Sequence, residues 1–246
     1  PGNATTGYVS SLPSLKALFV FSCFNHTIFD MQVLTHELGH AFAGYMAMRS
    51  QSISDYYSES TDIAEIHSMS MEQFAYPYAE WFFGDQADKF RFAHLQEALT
   101  FVPFGVAVDE FQHICYAHPE LTPKERTYQW HLLEEKYMPW RKYENDAFME
   151  RGGYWYHKLH IYLYPFYYIN YTLTTMGAME FKKKYAEDKA TAWQNYLKLC
   201  KTGGSRSYLE TLRYANLSNP FEEGSVERAC GYAEKILLEQ IAAQEQ

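Results

Sequence analysis

The sequence lacks several features that would direct it to particular classes of protein. Its 246 residues contain no run of about 18 apolar residues, so we expect no membrane-spanning segment. Acidic residues outnumber basic ones, and the resulting net charge of −9 disfavours nucleic-acid binding. No glycine-rich phosphate loop and no internal repeat is present. The composition therefore predicts a globular protein that acts on neither nucleic acid nor a bilayer.

Cysteine is scarce, whereas aromatic residues are abundant. The four cysteines, at positions 23, 115, 200 and 230, show no CxxC spacing. This usage predicts reduced, buried thiols in a cytoplasmic protein rather than a disulfide framework. Aromatic residues make up 18% of the chain, a content that suits either a wide helical core or an aromatic-lined cleft.

The clearest motif is HELGH, at residues 36–40. Apolar residues recur at close to helical spacing from Asp30 to Tyr45, which predicts a helix. His36 and His40 then project from one helix face, one turn apart. Two imidazoles placed in this way can bind Zn²⁺ together with a third protein ligand and a water. Glu37 can accept the proton of that water as a general base.

A third zinc ligand is expected on the next helix. Ser60-Thr61-Asp62 followed by Glu65 has the character of a capping box and predicts a helix from about Thr61 to Gly84. Glu65 lies 25 residues beyond His40, which leaves enough chain for a loop and a return. Its carboxylate can complete a two-histidine, one-glutamate set with an open fourth position. On spacing alone, the competing acids are Glu59, Asp62 and Glu72.

One short segment favours a strand, and the rest of the chain favours helices. Residues 1–16 are rich in turn formers and predict a loop. Leu18 to Phe24 is apolar and β-favouring. An edge strand beside a metal site can pair with an extended peptide, and Phe21 is our candidate substrate contact there. Further helices are predicted at 87–115 (one helix, or two broken near Pro103), 121–137, 178–200, 207–215 and 225–242.

A second unusual stretch, residues 154–171, follows the break at Arg151-Gly152-Gly153. If it is mostly helical, imidazole and phenol groups share one face at i, i+3 and i+4 spacing. These residues are His157, His160, Tyr164, Tyr167 and Tyr171. An aromatic core helix is one interpretation. Buried Tyr and His need hydrogen-bond partners, however, so this face can also line an active site and stabilise an oxyanion.

Together these motifs resemble a known family. HELGH, AEIHSMSMEQF with Glu65, HIYLYPFYYINY and the Gly-Gly break resemble oligoendopeptidase F and the Pz-peptidases, which are thimet-oligopeptidase-like M3 metallopeptidases. The resemblance runs through essentially the whole chain. It implies a mainly α fold with a small β-sheet, that is, a zincin-like M3 peptidase catalytic domain. It also implies one Zn²⁺ per chain and an oligopeptide substrate in a deep channel.

The resemblance implies roles for individual residues. The zinc ligands fall on His36, His40 and Glu65, and the general base falls on Glu37. The substrate- and transition-state-binding groups fall within residues 157–168, where Pro165 shifts the register against other members. The candidates for the histidine role are His157 and His160. The candidates for the tyrosine roles are Tyr162, Tyr164, Tyr167 and Tyr168, of which Tyr168 is also our candidate substrate contact.

The domain and function expected follow from the same resemblance. The chain begins at Pro1, and what is present resembles only the C-terminal catalytic part of the family. We therefore expect residues 1–246 to form that catalytic domain, with the N-terminal helical region of the family absent. The expected function is zinc-dependent hydrolysis of short oligopeptides. The alternatives are an incomplete peptidase that binds peptides without cleaving them, and a zinc hydrolase of another amide or ester.

Overall fold

The structure is a computed structural model that describes residues 7–244. Helices make up most of this range, and two strands form a small antiparallel sheet. The predicted fold class, mainly α with a small sheet, is therefore confirmed. Across the described residues, none of the helices is both long enough and apolar enough to cross a bilayer.

The elements follow one another with short connections. In chain order they are β1 (Tyr8–Leu12), β2 (Ala17–Phe21), α1 (Phe29–Ser50), α2 (Thr61–Ala75), α3 (Glu80–Phe83), α4 (Ala87–Ala117), α5 (Pro123–Tyr137), α6 (Ala147–Glu150), α7 (Leu159–Leu163), α8 (Ile169–Glu187), α9 (Lys189–Thr202), α10 (Tyr208–Tyr214) and α11 (Ser225–Gln244). Short 3₁₀ turns lie at Pro13–Leu15, Ser54–Tyr57, Tyr76–Tyr78, Gly84–Gln86 and Gly153–His157.

The chain divides into two compact units, each with its own apolar core. The first unit is Pro1–Gln96 with Leu173–Gln246, and the second is Glu97–Thr172. Both divisions fall inside helices, α4 and α8. The core of the first unit includes Ala43, Ile63, Ile66, Phe74, Phe181, Tyr196 and Leu199. The core of the second unit includes Phe104, Phe111, Trp130, Trp155 and Tyr168.

A β-hairpin precedes the HELGH helix. The predicted strand is confirmed as β2, although it ends at Phe21 rather than Phe24. The loop expected over residues 1–16 is wrong for residues 8–12, which form β1 and pair with β2 from Tyr8↔Phe21 to Leu12↔Ala17; residues 1–6 lie outside the described range. Tyr8 and Val9 favour a strand, but the two serines after them obscure that pattern in the sequence. Pairing with β2 completes the hairpin, and the Tyr8 ring stacks on the Phe21 ring at 5.2 Å between centroids.

Helices α1 and α2 carry the predicted metal ligands and pack against each other closely. Gly39 makes this possible, because a β-carbon there would lie 2.6 Å from Ser68 Cα and 2.7 Å from the His67 carbonyl oxygen. α2 starts at Thr61 as predicted but stops at Ala75, short of the expected Gly84. Its last turn tightens into the 3₁₀ segment at Tyr76–Tyr78, which contains a proline near its start.

Helices α4 and α5 agree with the sequence. α4 is continuous through Pro103, which confirms the one-helix alternative. α5 begins at Pro123, and Thr122 caps it in a reciprocal capping box with Glu125. The first turns of α9 and α10 are also capped by side chains, from Asp188 and Ser207.

Two helix predictions are wrong. Residues 154–171 are not one helix: α7 ends at Leu163, and Phe166 takes a left-handed φ of 60° before α8 begins at Ile169. Pro165 lacks the backbone N–H that a continuous helix needs. Residues 178–200 are also not one helix, because Asp188 ends α8 and accepts hydrogen bonds from the first free N–H groups of α9.

Candidate metal centre

α1 and α2 bring the three predicted ligands together. The distance from Glu65 Oε2 is 3.0 Å to His36 Nε2 and 3.4 Å to His40 Nε2. One donor atom from each of the three residues lies within 4.8 Å of the other two. Within residues 7–244, this is the group of His, Cys, Asp and Glu side chains close enough to hold one metal ion. All three residues belong to the first unit.

The donor set and its spacing fit Zn²⁺. Imidazole nitrogen and carboxylate oxygen bind zinc at about 2.0–2.2 Å, so two ligands of a tetrahedral site lie about 3.3 Å apart. The separations of 3.0 and 3.4 Å are close to that value. The three side chains keep 17% to 26% of their surface exposed, so a fourth ligand can approach from solvent. Ser68 Oγ donates to Glu65 Oε2 at 2.9 Å and orients this carboxylate.

The acids that competed with Glu65 on spacing lie elsewhere. Glu59 pairs with the buried His67, with 3.1 Å between Oε1 and Nδ1. Glu72 contacts His36, but through Nδ1, on the opposite side of the ring from the nitrogen that faces Glu65. Asp62 has a buried oxygen, Oδ1, with no hydrogen-bond partner among the described residues. Of the four acids, Glu65 is therefore the one whose carboxylate lies beside both His36 and His40.

Charge around the centre favours a cation. Burial alone would lower the pKa of His36, but its hydrogen bonds with Glu65 and Glu72 outweigh burial and raise this pKa to about 10. Burial opposes ionisation of Glu65 in the same way, and the two histidines nevertheless hold its pKa well below its usual range. A proton and a metal ion compete for the same imidazole nitrogen. The negative charge of the neighbouring carboxylates therefore stabilises whichever of the two is bound.

Glu37 lies on the same helix and is shielded from solvent. Only 8% of its surface is exposed, and burial raises its pKa, an effect that the charges of His36 and His40 partly offset. Gly7, just before β1, covers one side of this carboxyl, because a β-carbon there would lie 2.6 Å from Glu37 Cγ. A shielded carboxylate with a raised pKa is suited to accept a proton near neutral pH.

The aromatic stretch of the second unit gathers around His160. The His160 ring lies 5.1 Å from the Tyr168 ring and 5.9 to 6.2 Å from those of Tyr164, Tyr167 and Tyr171. Burial lowers the pKa of His160, and the charge of Lys158 lowers it further. Four of the five residues that the sequence placed on one helix face are thus close together, although a turn rather than a helix joins them; the exception is His157.

Two of the predicted residues of this stretch lie outside that cluster. His157 Nδ1 bonds to the Tyr154 carbonyl, and its ring packs on the Tyr154 ring at 4.3 Å. Tyr162 stacks on Trp155 at 5.7 Å. The two candidate substrate contacts also differ from each other: Phe21 is half-buried on β2, whereas Tyr168 is 6% exposed and belongs to the core of the second unit.

Sequence reasoning missed a group of residues behind His36. His94 on α4 bonds to Glu72, and Tyr76 bonds to His94. These positions are separated by helices and turns, and each residue alone resembles an ordinary buried polar side chain. Of these residues, spacing in the sequence could suggest only Glu72, which lies seven positions after Glu65 on the same helix.

His36, His40 and Glu65 surround one point, and Glu37 follows His36 on the same helix. This arrangement defines a candidate metallohydrolase centre. Comparison with known proteins agrees with this class. The family model of peptidase family M3 matches residues 3–231. The chain belongs to peptidase family M3.

Similar proteins carry related names. An oligoendopeptidase F homolog from Borreliella burgdorferi is 28% identical over 193 residues, which is 76% of this chain and 32% of that protein. A solved structure of a protein classed as oligoendopeptidase F is 48% identical, with a TM-score of 0.86, over 95% of this chain and 41% of that one. Pz peptidase A, solved with an inhibitor, is 45% identical, with a TM-score of 0.87, over 96% and 42%. The chain therefore spans about a third to two fifths of these relatives.

Proposed function

We propose that this chain is the catalytic part of a zinc-dependent endopeptidase that hydrolyses short oligopeptides. The observation that carries the proposal is the convergence of His36, His40 and Glu65, with Glu37 buried beside them. Membership of peptidase family M3 supports a peptide substrate. The names of the relatives, an oligoendopeptidase F homolog and Pz peptidase A, support the same substrate class.

We propose that His36 Nε2, His40 Nε2 and one Glu65 oxygen hold one zinc ion per chain. When bound, zinc supplies Lewis-acid chemistry, which lowers the pKa of a water and polarises a carbonyl. The two imidazoles are neutral ligands and the carboxylate is an anion, so the set leaves a net positive centre. With zinc bound, this net positive charge would favour the carbonyl oxygen of a peptide at the open position beside these three residues.

Glu37 then moves the proton. Its carboxylate accepts a proton from the attacking water and passes it to the nitrogen of the departing amine. The raised pKa of Glu37 supports both steps, because a stronger base takes the proton and the resulting acid still gives it up. Gly7 supports the role sterically, since a larger residue there would displace the carboxylate.

The substrate contacts of the proposal come from the resemblance. Phe21 on β2 stays a predicted contact for an extended peptide beside the hairpin. The transition-state roles stay predictions as well, and the residues concerned are His157, His160, Tyr162, Tyr164, Tyr167 and Tyr168. The tight grouping around His160 favours this histidine over His157 and favours Tyr164 and Tyr167 over Tyr162.

The test is hydrolysis of an internally quenched peptide by the zinc-loaded chain and its Glu37→Gln variant. We expect the variant to keep one zinc per chain and to lose about 10²- to 10⁴-fold in kcat, because it lacks the general base. Glu239→Gln, on the exposed face of α11, is the matched control and should keep wild-type activity.

Each other result points to a different account. Near-normal hydrolysis by Glu37→Gln would show that another group is the base. Cleavage of simple esters but of no peptide would indicate a different zinc hydrolase. Zinc and peptide binding without cleavage by the wild-type chain would indicate an incomplete peptidase.

A further inference from the structure

We propose that Glu72 is a positioning residue for the metal centre, and that His94 and Tyr76 hold it in place. The inference rests on the proposed function, because it assigns the support of one proposed zinc ligand, His36. All four residues belong to the first unit. None of the sequence motifs pointed to this arrangement.

The contacts form a continuous chain of short hydrogen bonds. Glu72 Oε1 lies 2.6 Å from His36 Nδ1, and Glu72 Oε2 lies 2.6 Å from His94 Nε2. His94 Nδ1 lies 2.7 Å from the Tyr76 hydroxyl oxygen. Each oxygen of the Glu72 carboxylate therefore bonds to one imidazole, and the Tyr76 hydroxyl bonds to the other nitrogen of His94.

The hydrogen-bond roles are mutually consistent. The ionised Glu72 carboxylate only accepts, so His36 Nδ1–H and His94 Nε2–H donate to it. His94 Nδ1 then accepts from the Tyr76 hydroxyl. A metal ion can replace the Nε2 proton that His36 donates to Glu65, 3.0 Å away. The proton on Nδ1 then stays hydrogen-bonded to Glu72, and the Nε2 lone pair is available to the metal. This is the tautomer that a metal ligand needs, and a carboxylate behind it also makes the imidazole a stronger donor.

The hydrogen-bonded residues Glu72, His94 and Tyr76 are buried and packed against neighbouring side chains. Glu72 and His94 are each 7% exposed, and Tyr76 is 8% exposed. The Phe90 ring stacks on His94 at 5.6 Å between centroids. Lys182 Nζ lies 3.5 Å from the centroid of the Tyr76 ring. A carboxylate held this firmly in a dry setting can define the direction of the His36 ring, whereas a mobile surface acid could not.

Position excludes the simpler role of a fourth ligand. The two nitrogens of His36 face opposite ways, and Glu72 occupies the Nδ1 side, while Glu65 and His40 lie on the Nε2 side. Glu72 thus acts on the metal through His36. Its removal should weaken metal binding without removing a ligand.

The test is the dissociation constant for Zn²⁺ alone, measured by competition with a chromophoric chelator on the 246-residue chain. Glu72→Gln keeps the shape but removes the charge, and Glu72→Met removes both acceptors. Loss of a partner of this kind costs about 10- to 100-fold in metal affinity, and we expect Glu72→Met to be the weaker binder. Tyr76 is three hydrogen bonds away from His36, so Tyr76→Phe should weaken zinc binding by only about two- to fivefold.

A matched control separates positioning from general destabilisation. Gln73 is the next residue on α2 and is 4% exposed, and its Oε1 has no hydrogen-bond partner among the described residues. Gln73→Leu should leave zinc affinity unchanged, whatever it does to the thermal stability of the metal-free chain. Long-range ¹H–¹⁵N spectra of zinc-loaded ¹⁵N-histidine samples add a second readout. The His36 Nδ1–H should be hydrogen-bonded and slow to exchange with water in wild type, and it should exchange faster in Glu72→Met.

The outcomes distinguish this inference from the function on which it rests. If wild type binds Zn²⁺ and both Glu72 variants bind it within twofold of wild type, positioning by Glu72 is wrong while the proposed function stands. If wild type binds no Zn²⁺, both fall. If the Glu72 variants fail to fold by circular dichroism, Tyr76→Phe decides, and unchanged affinity there overturns the inference.

Discussion

Lys182 on α8 is a half-buried ionisable residue. Its amine packs 3.5 Å from the centroid of the Tyr76 ring. Burial, together with the charge of Arg91, lowers the pKa of Lys182 from 10.5 to about 7. The unfolded chain holds this proton at pH 8 while the native chain releases it. Folding at neutral pH therefore includes the free-energy cost of burying Lys182 and shifting its pKa. This cost falls as the pH rises towards 10, because the unfolded chain then also begins to lose the proton.

Replacing Lys182 should consequently stabilise the protein. We expect Lys182→Met to raise the free energy of unfolding by about 1–3 kcal/mol at pH 7, and the gain should shrink steadily up to pH 10. Urea unfolding at pH 7, 8, 9 and 10 measures it. Lys183→Met, an exposed neighbour paired with Glu187, should change stability by less than about 0.5 kcal/mol. A destabilised Lys182→Met with the same pH slope as wild type would contradict this account.

Single residues of the candidate centre differ in how far the sequence predicted them. His36, Glu37 and His40 are neighbours on one helix, so local spacing was enough. Spacing alone could not choose Glu65 from Glu59, Asp62 and Glu72, because that choice depends on how α2 is turned against α1; the resemblance to M3 peptidases made the choice. The link from Glu72 to His94 was beyond prediction, since it joins two helices through atoms that no periodicity specifies.

At the scale of elements, the close packing of α1 on α2 is what assembles the centre. Gly39 lies between His36 and His40, the two proposed histidine ligands, and packs against the α2 backbone at Ser68. Gly44 lies on the same helix, but a β-carbon there would meet only the flexible end of Leu18, at 2.8 Å. The two glycines therefore give a matched pair for testing the contact between the helices.

We expect Gly39→Ala to destabilise the chain and Gly44→Ala to have little effect. At position 39 the helices must separate, which should cost about 1–3 kcal/mol of unfolding free energy and weaken zinc binding. At position 44 the Leu18 side chain can move, so the better helix propensity of alanine should offset the crowding, with a net change within about 1 kcal/mol. Denaturant unfolding of the metal-free chains and zinc competition measure both. Equal zinc affinity in the two variants would contradict the role given to Gly39.

Other elements show where local patterns end. The capping box at Thr122 and the HELGH helix were predictable because their signals lie within one helix. β1 was missed because two serines interrupt its apolar pattern and its strand character comes from pairing with β2, which begins five residues after β1 ends. The stretch at 154–171 has helical spacing, yet Pro165 breaks it, and the aromatic rings still meet because the turn folds them back around His160.

At the scale of the whole molecule, the first unit contains all four residues of the proposed zinc chemistry. The proposed ligands come from two consecutive helices, so this part of the fold could be predicted from the sequence with the fewest assumptions. The aromatic cluster belongs to the second unit, where its residues pack around a separate core. Its catalytic role was predicted from the resemblance to M3 peptidases, and composition alone supports a core role equally well.

The most direct test of the account is a zinc titration of the wild-type chain alongside His40→Ala and His113→Ala. His113 is an exposed histidine on α4, outside the centre, and serves as the control. We expect one zinc per chain for wild type and for His113→Ala, a higher melting temperature with zinc than with EDTA, and loss of both effects in His40→Ala. Stoichiometric zinc in His40→Ala, or none in the wild-type chain, would contradict the proposed metal centre.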